Sequence, residues 1–190
     1  MTQFRVVRET TRAQAGFLTL SDLEVKSAGG ERFTRYVVRH PGAVMVVPVL
    51  DDREHVLLVR QYRAAADREL LEVPAGKRDV PDEHPEMTAR RELEEEIGQG
   101  ADRLVELCEC YMSPGFTDEY AHIYCALGLV DLGGPAAVRH EEAAMTVERI
   151  ALADVDELIA TRELVDVKSI VGLLLARRFV AGEYAGVRAD

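Results

Sequence analysis

The first third of the chain alternates apolar and polar positions, a period of two that predicts half-buried β-strands. The glycine pair Gly29-Gly30 separates two of these segments in the manner of a turn. The predicted strands are FRVVRE, FLTLSDLEV and ERFTRYVVRH, in chain order. They predict an antiparallel, strand-rich extension over residues 1–40.

Three more segments with strand character follow. AVMVVPVL is an almost continuous apolar run, which predicts a strand buried on both faces. EHVLLVRQYR comes after a turn at Asp51-Asp52, and we predict that it forms a hairpin with AVMVVPVL. ELLEVPAG is predicted to form a short strand that ends at Pro74 and Gly76.

The period then changes to that of a helix over residues 85–97. Pro85 occupies its first turn and Gly98 follows its end, the positions that these residues favour at helix termini. Strand character returns in RLVELCECYM and AHIYCALGLV, and helices are predicted around residues 154–161 and over DVKSIVGLLLARRFV. This order predicts a mixed α/β fold rather than a repeated βαβ fold.

Composition narrows the class of protein. The chain has 190 residues, 47% hydrophobic and 30% charged, enough for one domain with a core. No apolar run reaches the roughly 20 residues of a membrane-spanning helix, and no secretory signal is visible, so we expect a cytoplasmic protein without a membrane partner. The net charge of −11 argues against a nucleic-acid partner. Cys108, Cys110 and Cys125 lack disulfide or zinc-site spacing and are predicted to be reduced thiols.

The predicted helix over residues 85–97 carries an unusual concentration of acid. Glu92, Glu95 and Glu96 fall within about a third of its circumference, next to Leu93 and Ile97, which must be buried. Carboxylates that are crowded and partly desolvated need a proton or a cation, and Mg²⁺ accepts carboxylate oxygens together with substrate phosphates. The alternative is a solvated acidic face paired with neighbouring arginines.

The sequence around this helix, VPAGKRDVPDEHPEMTARRELEEEIG, resembles the Nudix box, G-x5-E-x7-R-E-U-x-E-E-x-G-U with U aliphatic. One extra residue lies between the first two matching positions, and Gln99 stands at the last aliphatic position. The matching residues are Gly76, Glu83, Arg91, Glu92, Leu93, Glu95, Glu96 and Gly98.

The resemblance covers roughly residues 42–180 and implies a Nudix fold, a mixed β-sheet between helices with the box as a loop–helix–loop. It implies a hydrolase of nucleoside diphosphates linked to another moiety, with two to three Mg²⁺ or Mn²⁺ ions per site. The structural residues of the box would be Gly76, Gly98 and the contacting pair Glu83 and Arg91. The metal ligands would be the Ala75 carbonyl and the carboxylates of Glu92, Glu95 and Glu96.

Residues outside the box are similar to those of ADP-ribose pyrophosphatases. YMSPGFTDE places Pro114 about sixteen residues beyond the box, and RQYR and LLEVPAG also fit. The resemblance implies that Arg63 contacts phosphate and that Glu119 contacts the terminal ribose, with Glu72 and Gly115 at the same substrate site. Each of these residues also has a purely structural interpretation, as a surface charge or an ordinary turn.

The general base in this subfamily comes from an acidic loop beyond the box. VRHEEAAMTVERI offers Glu142, which we predict first, and Glu141, which we predict second. Both are equally compatible with a solvated loop.

The expected function is hydrolysis of ADP-ribose to AMP and ribose 5-phosphate by a domain over residues 41–190. In the subfamily, a strand-rich extension like residues 1–40 builds a homodimer and part of the substrate pocket. Two alternatives stay open. One is a pyrophosphatase for a GDP- or UDP-sugar, and the other is a module that binds ADP-ribose without cleaving it.

Overall fold

The computed structural model describes residues 3–134 and 145–187 of the chain. Its strands are β1 (Phe4–Ala15), β2 (Leu18–Ser27), β3 (Arg32–Arg39), β4 (Ala43–Pro48), β5 (His55–Arg63), β6 (Arg68–Glu72), β7 (Ala75–Lys77), β8 (Gln99–Tyr111), β9 (Tyr120–Asp131) and β10 (Thr146–Ala151). Its α-helices are α1 (Pro85–Ile97), α2 (Val155–Ala160) and α3 (Val167–Val180), and a 3-10 turn (Leu152–Asp154) precedes α2.

The chain divides into two compact units. The first consists of Met1–Gly42 and Cys110–Ala121, and the second of Ala43–Glu109 and His122–Asp190. The predicted division into residues 1–40 and 41–190 stays a prediction.

The first unit contains the sheet β1-β2-β3, whose neighbouring strands are antiparallel. This confirms the predicted N-terminal antiparallel strands. Strand β1 lies at the edge of this sheet and pairs with β2, and every one of its residues is exposed. An ion pair of 2.8 Å between Arg39 and Glu9 links β3 to β1.

The second unit is built around β4, a central strand of the sheet β7-β4-β9-β8. All six residues of β4 are buried, as its continuous apolar run predicted. Since side chains alternate along a strand, Val44 and Val46 join the core cluster that contains residues of α1. Val47 faces α3 instead: a Cβ added at Gly172 would lie 3.1 Å from its Cγ2. Helices therefore pack on both faces of this sheet, as predicted.

The predicted hairpin between β4 and β5 is wrong. Both neighbours of β4 are already taken, by β7 and β9, while β5 lies in a second sheet with the order β10-β5-β6. In the described ranges, an isolated bridge between Val49 and Val56 is what remains of the expected pairing. The turn at Asp51-Asp52 therefore carries the chain from one sheet to the other.

Two strands also differ in detail from the prediction. The segment ELLEVPAG is divided into β6 and β7 on either side of Val73-Pro74, because proline lacks the N–H of a ladder hydrogen bond. Strand β10 occupies the end of a segment that we expected to be an acidic loop, and it pairs antiparallel with β5.

Candidate active site

Helix α1 has the bounds that the sequence predicted. His84 is its N-cap and accepts a hydrogen bond from the backbone N–H of Glu86, and Pro85 follows in the first turn. Gly98 ends the helix in the left-handed region with φ 65°, and its N–H donates to the Glu94 carbonyl. Glycine adopts this conformation without steric cost. Local capping thus fixes the helix at both ends.

One edge of α1 holds two buried carboxylates. Glu92 is 5% and Glu96 is 6% exposed, beside Leu93 and Ile97 in the core. The backbone N–H of Ala75, in β7, donates to Oε2 of Glu96 at 3.0 Å. The acidic edge therefore faces β7 rather than open solvent, so the alternative of a fully solvated acidic face does not describe these two residues.

Gly76 is required by this arrangement. A Cβ added to Gly76 would lie 1.9 Å from the carboxylate carbon of Glu92 and 2.1 Å from its Oε1. Any side chain at this position would therefore displace the Glu92 carboxylate. The first glycine of the box lets the backbone of β7 approach the acidic edge closely.

Arg91 lies at the centre of a group of acids. Its Nη1 donates to Oε1 of Glu92 at 2.9 Å and to Oε2 of Glu95 at 3.4 Å. Its Nη2 is 3.5 Å from Oε2 of Glu83, the contact that the box resemblance implied. That oxygen also accepts a hydrogen bond from the Thr88 hydroxyl at 2.7 Å. Burial lowers the pKa of Arg91, but the neighbouring carboxylates together raise it by more. The pKa of Arg91 therefore lies above its ordinary value.

Arg63 and Glu72 form a bidentate pair. Nε and Nη2 of Arg63 donate to the two oxygens of Glu72 at 2.8 and 2.7 Å. Glu72 is 1% exposed, whereas 40% of the Arg63 side chain is exposed. The hydrogen bonds to Glu72 raise the pKa of Arg63 above its ordinary value, although burial opposes them. Glu72 thus orients an arginine whose side chain is partly exposed to solvent.

The first turn of α3 supports the same region, a role that was not predicted from the sequence. Asp166 is the N-cap of α3, and its Oδ2 accepts hydrogen bonds from the N–H and the hydroxyl of Ser169. The Ser169 hydroxyl accepts from the N–H of Val73 at 2.9 Å, between β6 and β7. Burial raises the pKa of Asp166, but the neighbouring Lys168 and the bonds from Ser169 lower it below its ordinary value. Asp-x-x-Ser at a helix start was the available signal for this contact.

Two predicted substrate residues, Gly115 and Glu119, lie in the first compact unit. The segment that carries them is anchored to β3: Val38 N–H donates to the Phe116 carbonyl, and Asp118 N–H donates to the Val38 carbonyl. Asp118 also accepts from Nη1 of Arg39 at 2.9 Å. A Cβ added at Gly115 would meet no atom within 4 Å, so packing does not require glycine there.

The two predicted candidates for the base, Glu141 and Glu142, lie outside the described residues. A separate group, remote in sequence from the box, brings ligand atoms of Glu106, Glu109 and His122 within 4.8 Å of one another. Nδ1 of His122 is 2.7 Å from Oε1 of Glu106, so these two side chains are already hydrogen-bonded. Within the described residues, Cys108, Cys110 and Cys125 form no disulfide.

The donors on α1 and β7 fit a hard divalent cation. Mg²⁺ and Mn²⁺ prefer oxygen ligands, and the buried Glu92 and Glu96 supply carboxylate oxygens beside the backbone of Ala75 and Gly76. The missing Cβ of Gly76 keeps backbone and carboxylate close together. Glu95 is bound to Arg91 at the margin of this edge.

Comparisons with known proteins agree with this geometry. A NUDIX domain family matches residues 39–169. The "ADP-ribose pyrophosphatase" of Mycobacterium tuberculosis (strain ATCC 25618 / H37Rv) is 37% identical over 179 residues, which cover 94% of this chain and 86% of that protein. The "ADP-ribose pyrophosphatase" of Bacillus subtilis (strain 168) is 38% identical over 146 residues, 77% of each chain.

A solved structure described as "Crystal structure of ADP compounds hydrolase" superposes with a TM-score of 0.82 at 25% identity. The match covers 96% of this chain and 97% of that one. The predicted α/β fold with a mixed sheet, and the prediction of a hydrolase with a Nudix box, are confirmed. In the ranges that the structure describes, no helix has the length and apolar character of a membrane span.

Proposed function

The chain belongs to the Nudix family, and we propose that it hydrolyses the diphosphate bond of ADP-ribose to give AMP and ribose 5-phosphate. The observation that carries this proposal is the acidic edge of α1, where buried Glu92 and Glu96 face the backbone of β7. Relatives named ADP-ribose pyrophosphatase, at 37% and 38% identity, support the choice of substrate.

Glu92, Glu96 and the carbonyl of Ala75 would hold Mg²⁺ or Mn²⁺, with Glu95 as a further ligand, and two to three ions would bind per site. A divalent ion held there stabilises the negative charge that develops on the diphosphate oxygens. The number and identity of the ions follow from the family resemblance.

Other residues of the chain would bind the substrate and accept the proton of the attacking water. Arg63, oriented by Glu72, would bind a phosphate oxygen, and Glu119 and Gly115 would bind the terminal ribose. Glu142, or else Glu141, would take the proton of the attacking water. The water oxygen bonds to one phosphorus while the bridging P–O bond breaks, so each product retains one phosphate.

We also propose that the protein works as a cytoplasmic homodimer. Apolar side chains of the N-terminal sheet are solvent-exposed, among them Phe4 at 54% and Val6 at 52%. Exposed apolar groups of this kind mark association surfaces.

The experiment is a substrate panel. The purified protein is incubated with Mg²⁺ and ADP-ribose, GDP-mannose, UDP-glucose, NADH or diadenosine polyphosphates, and the products are separated by chromatography. We expect the highest kcat/KM for ADP-ribose, equal amounts of AMP and ribose 5-phosphate, and no turnover with excess EDTA.

Other results would revise the proposal in different ways. Preference for GDP-mannose or UDP-glucose would retain the site chemistry and reject ADP-ribose as the substrate. Tight binding of ADP-ribose without turnover, with Mg²⁺ and with Mn²⁺, would indicate the non-catalytic binding module instead.

A further inference from the structure

Lys168, in the first turn of α3, stands at an electrostatically unfavourable position. The N-terminal end of a helix carries partial positive charge, which favours acids and disfavours cations. Lys168 is nevertheless the second residue of α3, and its side chain is only 19% exposed. Helix stability therefore does not account for a lysine at this place.

The contacts of Lys168 supply another reason. Its ammonium group pairs with the carboxylate of Asp166 and lies 3.8 Å from Oε2 of Glu72. The same oxygen of Glu72 accepts the hydrogen bond from Nη2 of Arg63. One buried carboxylate thus faces two cations, one from β5 and one from α3.

Glu72 is 1% exposed, so its carboxylate depends on the groups around it for compensation. A carboxylate removed from water is stable only when charge and hydrogen bonds compensate it. We call Arg63, Glu72, Asp166 and Lys168 the α3 charge cluster. It contains two positive and two negative groups, so the formal charges of its side chains balance.

The geometry of the α3 charge cluster fixes the direction in which the Arg63 head group points. A guanidinium is planar, so two hydrogen bonds from Nε and Nη2 to one carboxylate also set where Nη1 points. Any rotation of Glu72 would turn the whole Arg63 head group with it. The orientation of Arg63 therefore depends on what restrains Glu72, and the ammonium group of Lys168 lies 3.8 Å from Oε2 of Glu72.

We propose that Lys168 is a positioning residue that holds Glu72, and through it Arg63, in one orientation. The consequence for activity, that Arg63 then meets the substrate diphosphate correctly, rests on the proposed function. Lys168 itself acts through Glu72 and is not assigned a contact with the substrate.

Three variants test this inference. Lys168→Met removes the ammonium group at similar side-chain length, whereas Lys168→Arg keeps a positive charge at this position. Arg178→Met is the matched control, since it removes a cation from the same helix at an exposed position in the last turn. If Lys168→Met does not fold, Lys168→Gln serves for the same measurement.

The first measurement requires no substrate. The Nε–H resonance of Arg63 is identified in ¹⁵N–¹H spectra by its loss in Arg63→Lys, and its exchange with water is followed. We expect exchange to accelerate about tenfold in Lys168→Met, because the hydrogen bond to Glu72 is weakened. Lys168→Arg and Arg178→Met should both retain the wild-type rate.

The second measurement is steady-state kinetics with the best substrate of the panel. We expect KM to rise about tenfold in Lys168→Met with a smaller change in kcat, as for a lost binding contact. In Lys168→Arg, most of this increase in KM should be absent. An unchanged Arg63 resonance in Lys168→Met would overturn the inference, even if activity fell. If the wild type cleaves no member of the panel, the proposed function fails while the resonance still decides the role of Lys168.

Discussion

Glu92 and Glu96 are held by different neighbours on the same edge of α1. Gly76 gives Glu92 the space that a Cβ would fill, Ala75 donates its N–H to Glu96, and Arg91 binds Glu92. Buried carboxylates cost free energy unless they are paired in this way. The residues and their partial burial were predictable because the spacing along one helix is local, but the contact with β7 was not, since it depends on the tertiary fold.

At this scale we predict the effect of Glu96→Gln. Glutamine retains a side-chain oxygen that accepts the Ala75 N–H, so the fold should persist, while the negative charge offered to a divalent ion is lost. We expect kcat to fall by about a hundredfold to a thousandfold, with the thermal unfolding midpoint near that of the wild type. Steady-state kinetics and calorimetry give the two values.

Glu94→Gln is the control, because it makes the same change on the same helix at an exposed position. It should leave kcat within about twofold of the wild type, as surface changes usually do. Nearly wild-type turnover in Glu96→Gln would contradict the assignment of this carboxylate to the metal site.

The elements differ in how far sequence determines them. Both ends of α1 were predicted because the preferences of Pro85 and Gly98 for helix termini are local chemistry. The strands that pair with β5 were not predicted, because this pairing depends on which strands flank β4. Strand β10 also escaped prediction, since it is short, half-exposed and follows an acidic segment.

The link between α3 and the strands β6 and β7 could not be read from the sequence either. Val73 and Ser169 are separated by 96 residues, yet they share a buried hydrogen bond of 2.9 Å. Asp166 fixes the hydroxyl of Ser169 from the other side at 2.6 Å. The start of α3 therefore supports the backbone that leads into Ala75 and Gly76.

For this element we predict that Ser169→Ala destabilises the protein. The change leaves the buried N–H of Val73 without its acceptor, which costs about 1–3 kcal/mol. Urea unfolding at pH 7 measures the free energy of unfolding. Ser27→Ala is the control, because Ser27 accepts from Glu31 N–H in an exposed turn and should change this free energy by less than about 0.5 kcal/mol. Equal decreases in the free energy of unfolding of both variants would show that the hydrogen bond between Val73 and Ser169 adds no stability.

At the scale of the whole molecule, the segment that carries Gly115 and Glu119 belongs to the same compact unit as the N-terminal sheet. Within the first unit, Arg39 binds both Glu9 and Asp118, which ties the segment beside Glu119 to the N-terminal sheet. The N-terminal strands therefore hold this segment in place within their own unit.

The same sheet leads to a prediction about assembly. If its exposed apolar side chains form the contact between two copies, the wild type should sediment as a dimer at micromolar concentration. Val6→Lys, in β1, should shift it toward the monomer, because a lysine buried in an apolar contact loses hydration that nothing replaces. Analytical ultracentrifugation at several concentrations measures this equilibrium. Met87→Lys is the control, since Met87 is 56% exposed but lies on α1, outside the N-terminal sheet. A wild type that stays monomeric would contradict the dimer, and a Val6→Lys protein as dimeric as Met87→Lys would exclude this face as the contact.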